Sequence, residues 1–299
     1  MVLMKVARID DRDWSALTLG EQIRQIEVEG YLLMPNLLSA PQVQRLKSET
    51  ARLETFPMPY SEHQRDRVLH PGINPYPSSS WEPYRFGQQG GAITDLIAHA
   101  PMVDFLEKLF GDQIVFMTYL YARSEPGHPG ISLHTDGQPY GSEVFGYECS
   151  CPVMVKVLYY LDDLTPEVSP FCILPRSHLS LHQEASSYNR YRDHPDLVMV
   201  TAPAGSALIL HTRVFHGNYP NVGDRPREML QLGYRPVWAG PIKEEVPAWN
   251  PEDLSLLPDP VRRLFVDRNS SRYRDDGDHK PPDMADHADW ISPNRWDWK

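Results

Sequence analysis

Ile131-Ser-Leu-His134-Thr-Asp136-Gly-Gln-Pro139 is the stretch around which the rest of the chain can be arranged. Strand-like residues run into a Gly-Gln-Pro turn, as in a short strand that ends in a loop. Side chains alternate faces along a strand, so His134 and Asp136 point the same way. One strand end then offers an imidazole and a carboxylate to a single ion. His-x-Asp is a cheap motif, and it recurs as His194-Pro-Asp196 and His287-Ala-Asp289. His194 lies in a charged loop with proline between the two candidates, which is poor strand material. His287 lies in an acidic stretch near the C-terminus. Only His134 has strand context.

Outward from this stretch, short apolar runs at 114–122, 153–161, 171–174, 198–201, 207–211 and 229–234 read as further strands, with 132–136 among them. Ala202-Pro-Ala-Gly205 reads as a tight turn between two of them. The pattern predicts a mainly β fold: a double-stranded β-helix (jelly-roll, cupin-like) core with added N-terminal helices. Thr18-Leu-Gly-Glu21 and Ser39-Ala-Pro-Gln42 are capping boxes that open those helices, and Gly30 is a stop after the first. The second helix carries Val43, Leu46 and Leu53 on one face. Residues 56–91 lack periodicity and hold Pro75-Tyr-Pro77 and Trp81-Glu-Pro-Tyr84, which suits a lid loop. Helical signals return over 93–110. The expected organisation is a single domain over 1–299: helices and lid at 18–112, core at 113–237, and a polar extension at 249–299. Within that extension, 275–282 reads as a surface tail, although Trp290, Trp296 and Trp298 suit docking better than disorder.

Composition narrows the class. The 299 residues carry a formal net charge of −11, which argues against a nucleic-acid partner. No apolar run reaches the roughly eighteen residues of a membrane span, and the N-terminus has no signal-peptide core. Three cysteines, Cys149, Cys151 and Cys172, suggest a reducing, cytoplasmic setting rather than a disulfide framework. Two thiols at Cys149 and Cys151 do not make a zinc site by themselves. The expected partner is a small-molecule substrate; oligomeric state is not legible.

A third metal ligand is available downstream. The run 207–210 leads into His211-Thr-Arg-Val-Phe-His216-Gly217-Asn218, so His211 and His216 compete for the role. Two histidines and one carboxylate with open positions describe a non-haem Fe(II) oxygenase site. Asp224-Arg-Pro-Arg227 follows, at the start of the next strand. An arginine there suits a shared site, with the metal on the keto-acid end of a small dicarboxylate and the guanidinium on its far carboxylate.

The ordered set His134-Thr-Asp136, Tyr160-Leu-Asp-Asp163, Thr165-Pro-Glu167, Pro175-Arg-Ser-His178 and His216-Gly217…Asn221…Arg227 resembles the phytanoyl-CoA dioxygenase family. The opening 29–39 is similar as well, and the resemblance spans roughly residues 20 to 237. It implies Fe(II) on His134, Asp136 and His216, with 2-oxoglutarate and O2 as co-substrates. It implies Arg227 on the distal carboxylate, with Arg225 as the alternative, and leaves His211 at a strand end rather than on the metal. Lys156 and Tyr119 are further candidates for the 2-oxoglutarate pocket. Ser177 and His178 are expected to serve a turn. The sequence departs from the family pattern at Arg176, where glycine is usual, and at Val168-Ser169, where Asn-Gly is usual. An Asp at 136 argues against the related halogenases, which vacate that position. The implied activity is hydroxylation, or another oxidation, of a C–H bond in a metabolite or natural-product intermediate, with release of succinate and CO2. Two other classes share these features: a cupin-like metal enzyme that does not use 2-oxoglutarate, and a non-catalytic binding protein.

Overall fold

The computed structural model describes residues 8–53, 56–57, 77–79, 91–110, 113–136, 153–179, 194–239 and 248–269. The strands are β1 (Arg8–Ile9), β2 (Tyr31–Met34), β3 (Phe56–Pro57), β4 (Pro77–Ser79), β5 (Ile114–Ser124) and β6 (Ile131–His134). They continue as β7 (Val155–Tyr160), β8 (Phe171–Leu174), β9 (Val198–Val200), β10 (Ala207–His211), β11 (Phe215–Asn218) and β12 (Arg227–Pro236). Two sheets result: one ordered β1-β9-β8-β11-β6 and a larger one ordered β2-β10-β7-β12-β5-β4-β3. All pairings are antiparallel except β1 with β9. This is the mainly β, jelly-roll arrangement expected from the sequence.

The helices form where the caps predict. Thr18 and Glu21 cap α1 (Leu19–Arg24) reciprocally. It continues into a π-helical turn at Gln25–Glu29 that ends on Gly30, whose φ of 89° is left-handed. A Cβ there would lie 2.8 Å from Val214 Cγ2, so both conformation and space require glycine. Ser39 N and Oγ both donate to Gln42 Oε1 at the start of α2 (Ala40–Thr50). Leu53 packs on the core but lies past the helix end. The 93–110 signal resolves into α3 (Ala92–Ile97) and α4 (Ala100–Phe110). The Glu49 carboxylate accepts from Ala92 N and Ile93 N, satisfying two donors at the start of α3.

These helices cover one face of the large sheet. Tyr234 Oη on β12 donates to the Ile97 carbonyl at 2.9 Å, and the Tyr159 ring on β7 meets His99 edge-on. Lys47 on α2 pairs with Asp162 just past β7. The opposite face of the same sheet is therefore left to the smaller sheet, and the space between the sheets is where the site forms.

The polar extension begins as packed structure rather than as a loose tail. Trp249 stacks on Phe116 and meets Phe265 edge-on. Two short helices, α5 (Pro251–Ser255) and α6 (Asp259–Arg262), then bury Leu257, Val261, Leu264 and Phe265. The Arg268 guanidinium lies 3.8 Å over the Trp249 ring. Apart from β3 and β4, the lid loop lies outside the described residues. So do Cys149, Cys151, His287, Asp289, the stretch 275–282 and the three final tryptophans. Among the described residues no helix is long and apolar enough to cross a membrane.

His178 and His211 form a buried pair with ring centroids 4.5 Å apart. Burial pushes His211 down to about 3 and lowers His178 as well. The unfolded chain takes up protons below about pH 6.5 that the folded chain refuses. Stability is thus complete above that pH and falls as pH drops toward the folded values. Urea unfolding between pH 7 and pH 5 should show this decline. His211→Gln should make it shallower, by up to about 1.4 kcal/mol per pH unit; an unchanged slope would refute the assignment. Phe265→Ala should lower the unfolding free energy by about 3–5 kcal/mol, since it empties an aromatic cluster. A loss below about 1 kcal/mol would mean that the extension does not pack as described.

Candidate active site

β6 and β11 place the first group. His134 closes β6, and His216 on β11 is its direct cross-strand partner. The two rings lie 4.4 Å apart. Asp136 follows just past the strand, held by its own N–H donating to the Thr212 carbonyl at 2.8 Å. One ligand atom from each of His134, Asp136 and His216 lies within 4.8 Å of the others. An ion at about 2 Å from nitrogen and oxygen donors fits such a cluster after small side-chain adjustments.

Hydrogen bonds prepare these groups. His216 Nδ1 is 2.9 Å from the Val214 carbonyl, which only accepts, so the proton sits on Nδ1. Nε2 then keeps its lone pair on the side of Asp136 Oδ2, 3.5 Å away. This is how a histidine ligand is oriented through its second nitrogen. Burial pushes the His216 imidazole down to about 3, so it stays neutral. Phe171 stacks on the same ring, with centroids 5.6 Å apart. Lys156 Nζ reaches Asp136 Oδ1 at 2.7 Å. Burial works to raise the Asp136 carboxyl, but His216, Lys156 and His134 together hold it below its ordinary value. One carboxylate oxygen is thus tied to an ammonium, and the other faces the histidines.

The large sheet supplies the second group, and its register decides which side chains take part. Lys156 is opposite Gly233 and Leu210; Tyr160 is opposite Met229; Arg227 is opposite Ser124. Alternation then puts Lys156, Tyr160, Met229, Arg227 and Ser124 on one face, the face toward Asp136. A Cβ on Gly233 would lie 2.6 Å from Met154 Cε and from Thr118 Cγ2, so a side chain beside Lys156 would have to displace both.

Arg227 has no exposed surface, and among the described residues its Nε and Nη1 have no hydrogen-bond partner. Its Nη2 is 3.4 Å from Ser169 Oγ, and its guanidinium lies 5.8 Å over the Tyr160 ring. No described carboxylate pairs with it. A buried charge without a counter-ion costs several kcal/mol, so the pocket suits an anion. Ser169 also links this arginine to the first group, since its carbonyl accepts from Asn218 Nδ2, two residues after His216.

Other candidates are placed elsewhere. Arg225 is partly exposed and pairs with Asp163. Tyr119 is opposite Leu232, on the helix-covered face, and so is not brought together with Lys156 and Arg227. His211 is opposite Val155, on that same face, and points to His178. His194 and Asp196 interact with each other at the approach to β9. Cys172 is buried in β8. Ser177 Oγ donates to the Leu174 carbonyl and accepts from Phe215 N, and His178 contacts the Glu27 carbonyl, so both serve the turn.

Sequence reasoning missed Ser169, Phe171 and His128, which neighbour Arg227 or His216. Ser169 carried a signal: it replaces the usual glycine, and its φ is 48°. Arg176, the other departure from glycine, has φ of 66° and is held by contacts of its Nε and Nη2 with the Glu29 carboxylate. His128 is buried beside the β5–β6 turn, where Gly130 N donates to its Nδ1 at 2.9 Å. Burial and the Arg227 charge push it down to about 3, so it is neutral.

Residues 26–229 match the phytanoyl-CoA dioxygenase (PhyH) family. A methylphosphonate hydroxylase from Gimesia maris is 24% identical over 221 residues, covering 72% of this chain and 80% of that protein. An ectoine dioxygenase from Nocardia farcinica is 22% identical over 256 residues, covering 78% of this chain and 82% of that one. HygX from Streptomyces hygroscopicus, crystallised with nickel and 2-oxoglutarate, superposes with a TM-score of 0.56 at 20% identity, over 79% of this chain and 94% of that one. The epimerase SnoN, in complex with Fe3+, α-ketoglutarate and nogalamycin RO, superposes with a TM-score of 0.58 at 17% identity, over 88% and 98%. These superpositions establish a shared fold. The family match covers more than half of the chain, and with the His–Asp–His cluster between the sheets the protein belongs to the phytanoyl-CoA dioxygenase family of iron- and 2-oxoglutarate-dependent dioxygenases.

Proposed function

We propose that His134, Asp136 and His216 hold Fe(II), that Arg227 anchors the distal carboxylate of 2-oxoglutarate, and that the enzyme oxidises a C–H bond of a small molecule. The observation that carries this reading is the buried guanidinium of Arg227, without an acidic partner among the described residues, on the sheet face that looks toward the triad. The balance is that of a hydroxylation: substrate C–H, 2-oxoglutarate and O2 give substrate C–OH, succinate and CO2. When bound, the iron and its keto acid supply the oxidising chemistry.

The chain's own residues prepare that site. The Val214 carbonyl fixes the His216 tautomer, so a lone pair faces the ion. Lys156 holds one oxygen of Asp136 and leaves the other to the metal. Its ammonium also adds positive charge where the keto-acid end of a dianion would lie. Arg227 sits without exposed surface, so a carboxylate that reaches it leaves water behind, and the charge-assisted bonds gain strength in the drier setting. Arg225 is partly exposed and already paired, which supports Arg227 over it. The curated relatives are named for methylphosphonate and for ectoine, in keeping with a small metabolite or natural-product intermediate as substrate here.

Fe(II)-loaded, anaerobically purified protein exposed to oxygen should convert 2-oxoglutarate to succinate slowly without added substrate. His134→Ala should abolish that turnover. Arg227→Ala should reduce it by roughly 100-fold or more, the loss of a charged hydrogen-bond anchor. Full succinate formation in Arg227→Ala would remove Arg227 as the anchor, and no binding of 2-oxoglutarate by the metal-loaded wild type would instead favour a metal enzyme that does not use it.

A further inference from the structure

We propose that His211 is a positioning residue for the metal site: its ring fixes the peptide unit between Thr212 and Arg213, and that peptide in turn holds the backbone of Asp136. This rests on the reading of His134, Asp136 and His216 as metal ligands. β10 ends at His211 in the large sheet and β11 begins at Phe215 in the small one, so residues 211–214 connect the two sheets. They form a tight turn, in which Val214 N donates to the His211 carbonyl at 3.1 Å.

The turn presents two carbonyls to the ligands. That of Thr212 accepts from Asp136 N at 2.8 Å, and that of Val214 accepts from His216 Nδ1 at 2.9 Å. The first matters most, because Asp136 lies beyond the end of β6 and has no place in the ladder with β11. The Thr212 carbonyl and the Arg213 N–H belong to one planar trans peptide unit, so they point in opposite directions. Arg213 N donates to His211 Nδ1 at 3.2 Å. One peptide plane is thus clamped at both ends, by the His211 ring on one side and by Asp136 on the other. Without the ring acceptor the N–H loses its partner, and rotation of the plane toward another acceptor turns the carbonyl away from Asp136. A side chain that opens a turn by accepting from the N–H two residues on is the usual work of Asp or Asn. Here an imidazole does it.

His211 is itself held from behind. Its backbone N–H donates to the Gly30 carbonyl at 2.9 Å. Burial keeps the ring neutral, and the bond from Arg213 leaves the proton on Nε2. The His178 ring packs against it with centroids 4.5 Å apart, anchored by its own Nε2 to the Glu27 carbonyl. On the other side of the turn, Thr212 Oγ1 donates to the Met154 carbonyl at 3.3 Å, just before the strand that carries Lys156. The turn therefore ties the approach to β7, the end of β6 and the start of β11 to one another, and the His211 ring sets its central plane.

The test compares His211→Asn with His211→Leu. The two side chains have nearly the same shape, but only Asn offers an acceptor to the Arg213 N–H. Metal-free wild type and both variants are titrated with Co(II), followed by visible absorption, and exchange of the Asp136 amide is followed by NMR without metal. His211→Leu should bind Co(II) roughly 10- to 100-fold more weakly, the scale for losing a group that orients a ligand. Its Asp136 amide should exchange about tenfold faster, the scale of one hydrogen bond. His211→Asn should restore both close to the wild-type values. Equal weakening in the two variants would overturn the inference, by showing that the shape of the ring and not its acceptor matters. Wild-type affinity and exchange in His211→Leu would overturn it too. If His211→Leu does not fold, His211→Asn decides alone: wild-type affinity supports the inference, and a loss as large as that expected of Leu overturns it. Absence of Co(II) binding in wild type would overturn the reading of the triad and this inference together, an outcome told apart from the others because it needs no variant.

Discussion

The register of β11 against β6 is the constraint on which the site depends. It sets His216 directly across from His134. Side chains alternate with a period of two, so a slip by one residue would turn His216 to the outer face and bring Phe215 or Gly217 inward. That slip is opposed on both edges. β11 pairs with β8 from Phe215↔Leu174 to Asn218↔Phe171, and Phe215 is buried among Leu133, Cys172 and Leu174 on the other side of the small sheet. The apolar cluster on one face thus fixes the polar cluster on the other. The Ser177 hydroxyl adds a bond to Phe215 N, so the Pro-Arg-Ser-His turn also helps to hold the strand.

The second constraint is electrostatic. Two cationic side chains, Lys156 and Arg227, lie on the inner face of the large sheet. Lys156 is answered within the protein by Asp136. Among the described residues Arg227 has only a long contact to Ser169 and a ring beneath it. Burying a guanidinium in this way is unfavourable for folding alone, and it persists because the surrounding strands over-determine its position. Ser169 adds to the same local cost through its left-handed backbone. Strain and unmet charge gathered at one place are the physical mark of a site prepared for a ligand.

Much of this was legible in the chain itself. The capping boxes at Thr18 and Ser39, the stop at Gly30 and the strands at 171–174 and 207–211 follow from local chemistry, and they stand where that chemistry put them. The choice of His134 over His194 and His287 rested on strand context, and β6 supplies it. What escaped were features set by pairing between distant segments. β11 holds a glycine and two polar residues in four positions and has no strand pattern of its own; its neighbours make it a strand. Tyr119 lies beside two residues of the inner face, and only the register of β5 with β12 reveals that it points the other way. Trp249 and Phe265 carry no periodic pattern in the sequence that names a partner, so their packing on Phe116 is a tertiary fact.

The account turns on a triad that binds iron and a keto acid together, and the most direct measurement is an oxygen-free optical titration. Fe(II)-loaded protein should develop a visible charge-transfer absorption as 2-oxoglutarate is added, saturating at one equivalent per chain. His216→Ala should show none. An Fe(II)-loaded wild type that binds its metal tightly yet shows no such absorption, at any concentration of 2-oxoglutarate, would contradict the assignment of the space between the sheets to this chemistry.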